Sequence, residues 1–342
     1  MRFRSVYAIV CLVAVLTLGC RHVPEYRQTA GSAWGTTYHI TYRADSDLSD
    51  TIAAVIGRID ASLSPFRENS LISRINRGDS SARADSLFAD VFSISARVNS
   101  LTGGAFDPTL GPLISLWGFG PGTAASDGPS GAQVDSALAL VGFADCAILS
   151  DGTVAKKHPG TQFNFSAVAK GYGVDCIARA LDRAGAEDYM VEVGGEIAVK
   201  GQNPRGEDWI IQIDAPRQSD EIEHERLTLL SLTNLAVATS GNYRNYRATS
   251  SGTVGHTISP VTGRPVSTST LSATVIAADC ALADALATAC MALPADSALA
   301  IVESLPRAEA LLVEASDTAS YTLRSTPGFA ACLGTQASGL CP

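Results

Sequence analysis

Ser166-Ala167-Val168-Ala169-Lys170-Gly171-Tyr172-Gly173-Val174-Asp175 and, further on, Val191-Glu192-Val193-Gly194-Gly195-Glu196-Ile197 are the stretches on which the fold turns. The first reads as a small-residue turn feeding a helix, the second as a short apolar strand ending on paired glycines. Small residues ahead of a helix let backbone N–H groups approach a phosphate, and the helix N-terminus favours its negative charge. Lys170 would add a mobile point charge at the same place. Taken alone, the segment fits a tight β–α connection with no ligand better, but its partners elsewhere in the chain reverse that balance.

With 342 residues the chain can bury a full core, as one large domain or two coupled lobes. A net charge of -9 argues against a nucleic-acid footprint, which should be basic. A polyanionic ligand would therefore need local help from a metal or a helix end. Arg2 and Arg4 precede an apolar run from Val6 to Leu18, too short for a spanning helix, which stops at Gly19-Cys20. This pattern resembles a bacterial lipoprotein signal in which Cys20 is lipidated, although Leu16-Thr17-Leu18 sets the leucine one place from its usual position. Conventional cleavage nearby is the alternative, and both outcomes export the protein. Residues 1–20 are then signal and residues 21–33 a polar tether. Export makes disulfides possible, with Cys332 and Cys341 the first candidates, while Cys176, Cys280 and Cys290 lie in apolar helical patterns.

Along the chain, Thr37–Tyr42 alternates as a strand, and Leu48–Leu63, Leu71–Asn76 and Asp85–Leu101 carry apolar residues at helical spacing. Asp107 precedes Pro108 and is biased to an extended backbone, which suits a carboxylate presented from a loop. A helix over Ala132–Val141 and a hairpin around Asp151-Gly152 lead to the central stretch. Strands follow over Trp209–Ile213, Leu227–Leu232, Asn234–Ser240 and Leu271–Ala277, then an apolar helix over Cys280–Leu293. A final helix, a strand and a loose tail close the chain. This order lacks steady βαβ alternation, so the expected class is α+β.

Within the apolar helix, Asp284 and Thr288 are four apart and share a face. A carboxylate there is expensive to bury unless something offsets its desolvation. No basic residue lies between Asp279 and Pro306, whereas a hard cation such as magnesium would accept this carboxylate with neutral and phosphate oxygens. Capping or pairing near a helix end is the other reading. His256, one of five histidines, follows a glycine and opens onto Thr257-Ile258. It could accept a proton from an attacking hydroxyl, or simply be satisfied by backbone hydrogen bonds.

Read together and in order, these pieces resemble the ApbE family of FAD:protein FMN transferases. The matching blocks are Gly35-Thr36-Thr37-Tyr38, Ile59-Asp60-Ala61-Ser62-Leu63-Ser64 with Arg67 and Ser70, Gly104-Ala105-Phe106-Asp107-Pro108-Thr109 and Leu116-Trp117-Gly118-Phe119-Gly120. Ala169-Lys170-Gly171-Tyr172, Val193-Gly194-Gly195-Glu196, Ala238-Thr239-Ser240-Gly241-Asn242-Tyr243-Arg244, His256-Thr257-Ile258 and Ala283-Asp284-Ala285-Leu286-Ala287-Thr288 complete the set.

The resemblance implies a two-lobed mixed sheet and helix fold over residues 34–342, with the flavin site between lobes. It implies magnesium-dependent attack of a threonine or serine hydroxyl on FAD, leaving FMN as a phosphoester on an acceptor flavoprotein of an electron-transfer system and releasing AMP. Carried over by motif, the Ala167 carbonyl, the Asp284 carboxylate and the Thr288 hydroxyl hold the metal. Trp34, Phe66, Ala105, Phe106, Asp107, Asn164, Lys170 and Ile258 face FAD, and His256 activates the acceptor hydroxyl. Asn164 stands where the family often has aspartate, Ser166-Ala167 where others carry glycine, and Ser259 where an acidic or amide residue is frequent. None of these departures removes a metal ligand. Two rivals stay open: a FAD pyrophosphatase giving FMN and AMP, and a non-catalytic flavin-binding lipoprotein.

Overall fold

The computed structural model describes residues 25–121, 128–216, 225–241, 246–249, 252–316 and 321–334. The described residues open on a hairpin of β1 (Tyr26–Ala33) and β2 (Thr36–Arg43). Its turn is Trp34-Gly35, both left-handed at φ of 52° and 81°, the geometry that matches strand twist in a two-residue loop. The expected tether over residues 21–33 is therefore corrected. Tyr26–Ala33 is a strand hydrogen-bonded along its length to β2, because its backbone groups find partners there that its polar sequence did not announce.

Helices α1 (Ser49–Leu63), α2 (Leu71–Asn76) and α3 (Ser86–Leu101) follow, near the expected bounds. Ser70 and Asp85 cap α2 and α3 by accepting the N–H groups of Ser73 and Phe88. The Asp107–Pro112 region, read as a loop, runs into a short helix, α4 (Gly111–Trp117), begun by Pro112 and ended by left-handed Gly118. Then come α5 (Gly131–Leu138), the small hairpin β3 (Ala147–Ile148) and β4 (Val154–Ala155), and α6 (Ala169–Arg183).

Strands β5 (Tyr189–Val193) and β6 (Glu196–Lys200) are joined by Gly194-Gly195. β7 (Trp209–Asp214) and β8 (Arg226–Leu232) form a separate antiparallel pair. β9 (Leu235–Gly241), the paired β10 (Tyr246–Thr249) and β11 (Gly252–Gly255), and β12 (Thr270–Ala277) precede α7 (Cys280–Ala292). The chain ends in α8 (Ala295–Glu303), β13 (Glu309–Ala315) and β14 (Tyr321–Ser325), one strand more than the sequence suggested. Cys341 lies outside the described residues, and with it the candidate Cys332–Cys341 pair.

Among the described residues, eight strands make one sheet in the order β1-β2-β5-β6-β9-β12-β13-β14. Every adjacent pair in it is antiparallel, as the α+β reading requires. Period-two alternation divides its two faces. In β9, Ala236 and Ala238 point into the main core with α6 and α7, whereas Val237 points into a second core beneath β7 and β8. A third, small core gathers Leu113, Trp117, Val134 and Ile258. Helix α7 is buried almost all round, which explains its alanine-rich sequence: small side chains let neighbours approach from every direction. No described helix is long and apolar enough to cross a membrane.

Candidate active site

The three cores meet at a cavity of about 400 Å³. Its polar wall comes from the packing of α6 on α7. A Cβ on Gly171 would lie 2.3 Å from the Cys280 carbonyl oxygen and 2.8 Å from the Asp284 Cβ, so only glycine permits this approach. The small residues read from the sequence as phosphate-approach positions thus serve, at Gly171, to bring two helices together. At that contact the Gly171 N–H donates to Asp284 Oδ2 at 3.0 Å.

A second tie lies further along α6. Asp175 accepts the N–H groups of Cys280 and Ala281, each at 2.9 Å, and so caps α7 from the neighbouring helix. Burial pushes Asp175 up to about 6 despite those two bonds. Sequence reading missed this residue, because a cap supplied by another helix leaves no local spacing to find.

Asp284 is 3% exposed. Burial raises its pKa, with Lys170 and the Gly171 N–H opposing. Among the described residues no hydrogen bond reaches its Oδ1. Thr288, one turn on, has its hydroxyl 3.3 Å from that of Ser240 on β9. Lys170 Nζ donates to Glu196 Oε2 at 2.5 Å. Burial works against the Lys170 ammonium, but the Glu196 and Asp284 carboxylates outweigh it and raise its pKa. Burial raises Glu196 as well, Lys170 pulls it back, and Asp284 pushes it up again. Two buried carboxylates thus share one ammonium.

The facing wall is satisfied within itself. Asp107 Oδ1 accepts the Thr109 N–H at 2.7 Å and its hydroxyl at 2.5 Å, and Oδ2 accepts the Phe143 N–H at 3.1 Å. Its carboxylate is therefore turned back into the loop. Asn164 does likewise, its Oδ1 accepting the Ser166 N–H at 2.9 Å. His256 sits edge-on to Phe119, ring centroids 6.2 Å apart. Trp117 Nε1 donates to the Gly263 carbonyl at 2.8 Å and ties α4 to the loop that follows His256 and Ile258.

Ala105, Phe106, Asp107, Asn164, Ala167, Lys170, His256, Ile258, Asp284 and Thr288 all line this one cavity. Trp34 and Phe66 do not. The Trp34 indole packs over Gly173 of α6, where a Cβ would lie 2.1 Å from the ring, and its Nε1 points at the Ile56 carbonyl. It is held by the hairpin turn and serves the helix packing. Phe66 is 67% exposed in the turn before α2. Glu196 lies inside a quoted motif, but nothing in its spacing pointed to Lys170.

The residues fit a hard divalent cation. No cluster of three or more His, Cys, Asp or Glu side chains suited to a metal exists among the described residues, so any protein ligands to a cation there would include neutral oxygens. Ala167, Asp284 and Thr288 offer a carbonyl, a carboxylate and a hydroxyl on one cavity wall, and among the described residues no hydrogen bond reaches Asp284 Oδ1.

Fold and site together define an α+β protein with a polar cavity, lined by Asp284, Glu196, Lys170 and His256, where α6 packs on α7. The family model for the ApbE family matches residues 34–312, and the chain belongs to that family. It is 34% identical over 318 residues to the FAD:protein FMN transferase of Vibrio cholerae serotype O1, covering 90% of this chain and 94% of that one. It is 30% identical over 307 residues to the Escherichia coli K12 FAD:protein FMN transferase, covering 84% and 87%. The solved flavin transferase ApbE from Vibrio cholerae superposes with a TM-score of 0.81 at 32% identity, covering 91% of this chain and all of that one. The apbe protein of Thermotoga maritima gives 0.80 at 25% identity, with 91% of this chain covered.

Proposed function

We propose that this chain transfers FMN from FAD to a threonine or serine hydroxyl of an acceptor protein, with magnesium at the Asp284 wall. The observation that carries the reading is the convergence of Ala167, Lys170, His256, Asp284 and Thr288 on one cavity from segments far apart in sequence. The Ala167 carbonyl, Asp284 Oδ1 and the Thr288 hydroxyl would hold the cation, which when bound supplies charge neutralisation at the pyrophosphate. Lys170 adds a fixed positive charge at the start of α6, whose N-terminus favours the same anion. His256 accepts the proton of the attacking hydroxyl. The acceptor oxygen bonds to the flavin-side phosphorus, the bond to the AMP oxygen breaks, and AMP leaves. The phosphoester left behind links FMN to the acceptor.

Because residues 1–24 lie outside the described structure, export and lipidation of Cys20 rest on the sequence and complete the proposal. An acceptor belonging to an exported electron-transfer system follows from that location.

The test is incubation of purified protein with FAD and magnesium, with and without a candidate acceptor, followed by mass spectrometry. Covalent FMN on the acceptor supports transfer, whereas FMN and AMP formed equally without acceptor support hydrolysis. Asp284→Ala should lower AMP release by about 10³-fold, the scale of a lost metal-ion contribution. Metal-free thermal stability should change little, because losing a desolvated carboxylate offsets the Gly171 N–H left without its acceptor. Unchanged turnover in that variant would sink the assignment.

A further inference from the structure

We propose that Glu196 is a positioning residue that holds the Lys170 ammonium aside, so that the Asp284 carboxylate stays open to a divalent cation. The inference deepens the reading above and rests on Asp284 being a cation ligand.

Three ionisable groups share one corner, the two carboxylates buried and the Lys170 side chain 33% exposed. The Gly171 N–H on Asp284 Oδ2, at 3.0 Å, places that carboxylate beside the backbone of Lys170 itself. A four-carbon stem with a freely turning ammonium can reach such a neighbour. Yet Lys170 Nζ is drawn to Glu196 Oε2 at 2.5 Å. Glu196 is set there by the chain reversal at Gly194-Gly195, both left-handed at φ of 63° and 99°, which turns the first residue of β6 toward α6.

The side chain of Glu196 is 3% exposed, so its charge depends on a partner inside the protein. With one ammonium between two carboxylates, the corner has room for one more positive charge. Without the Glu196 carboxylate, Asp284 becomes the strongest acceptor within reach of Lys170. The lysine would then act as a tethered competitor for the cation site.

The test is Mn²⁺ titration of the full protein without FAD, paired with metal-free crystal structures. Wild type should bind Mn²⁺, and Asp284→Ala should not. Glu196→Gln should bind about tenfold more weakly, the scale of a competing buried ion pair, with Lys170 Nζ found on Asp284 in its metal-free crystal. Adding Lys170→Met to that variant should restore affinity to within about threefold of wild type. Glu196→Asp keeps the charge but shortens the arm, and a loss of about threefold is expected, which covers the case of a poorly folded Gln variant. Wild-type affinity in Glu196→Gln or in Glu196→Asp overturns the proposal. So does weakened binding with Nζ still away from Asp284, because a field effect alone would then explain it. No Mn²⁺ binding by wild type, or binding unaffected by Asp284→Ala, instead removes the cation reading and this inference with it.

Discussion

On the α6–α7 side of the cavity, Asp284 and Glu196 are buried with one lysine between them, and among the described residues one Asp284 oxygen has no hydrogen bond. On the opposite side, Asp107 and Asn164 spend their oxygens on N–H and hydroxyl groups of their own loops and, for Asp107 Oδ2, on the N–H of Phe143. Both walls carry a carboxylate, but among the described residues only the first leaves one of its carboxylate oxygens without a hydrogen-bond donor. A self-satisfied loop shapes a cavity, whereas an open carboxylate oxygen selects what enters it. That contrast places the chemistry on the helix pair and the shaping on the loops.

Three substitutions would break or sharpen this contrast. The largest effect is expected from Gly171→Ala, which forces apart the helices that carry Lys170 and Asp284. Alanine gains about 1 kcal/mol of helix propensity, but overpacking against the Cys280 carbonyl should cost about 3 kcal/mol or more. Urea unfolding would read the net loss, and an unchanged midpoint would show that the helices are not in tight register.

Asp175→Asn should have a pH-dependent effect. Its carboxyl sits at about 6 in the fold against 3.8 unfolded, so the folded state prefers it protonated. Its contribution is full below about pH 4 and is lost as pH rises through about 6. Asparagine does not titrate, so its deficit relative to wild type should shrink between pH 4 and pH 7 by roughly 3 kcal/mol at most. Denaturation series at both pH values would show this, and a constant deficit would contradict it.

Asp107→Asn should have the smallest effect. Oδ1 survives for Thr109, but the amide meets the Phe143 N–H donor to donor, at a cost of about 1 kcal/mol. Mn²⁺ affinity should stay within about twofold, since both Asp107 oxygens are already committed to N–H and hydroxyl donors. A tenfold loss would place Asp107 on the cation side and erase the distinction between the walls.

Much of this was legible in the sequence where the signal is local. Helical spacing gave α1, α2, α3 and α7 within a few residues, and short β-rich runs gave β2, β7, β8 and β12. The i, i+4 pair Asp284–Thr288 on an apolar helix pointed to the charged wall because burial without a nearby base is legible in one dimension. What escaped depends on partners far away in sequence. β1 looked like a tether because an edge strand with polar residues is defined by its neighbour. Asp175 and Glu196 take their roles from α7 and Lys170. Trp34 was read as a flavin contact, yet its ring fills the space that Gly173 vacates, a complementarity no spacing reveals.

The pairing of β1 along the sheet edge has a consequence for where the enzyme works. With β1 locked into the body from Tyr26, only residues 21–25 remain between Cys20 and that strand. Even fully stretched, that leash spans about 20 Å. If Cys20 is anchored in the bilayer as proposed, the protein is moored against the membrane and cannot patrol the space beyond it. Its clients must come to the surface where it sits.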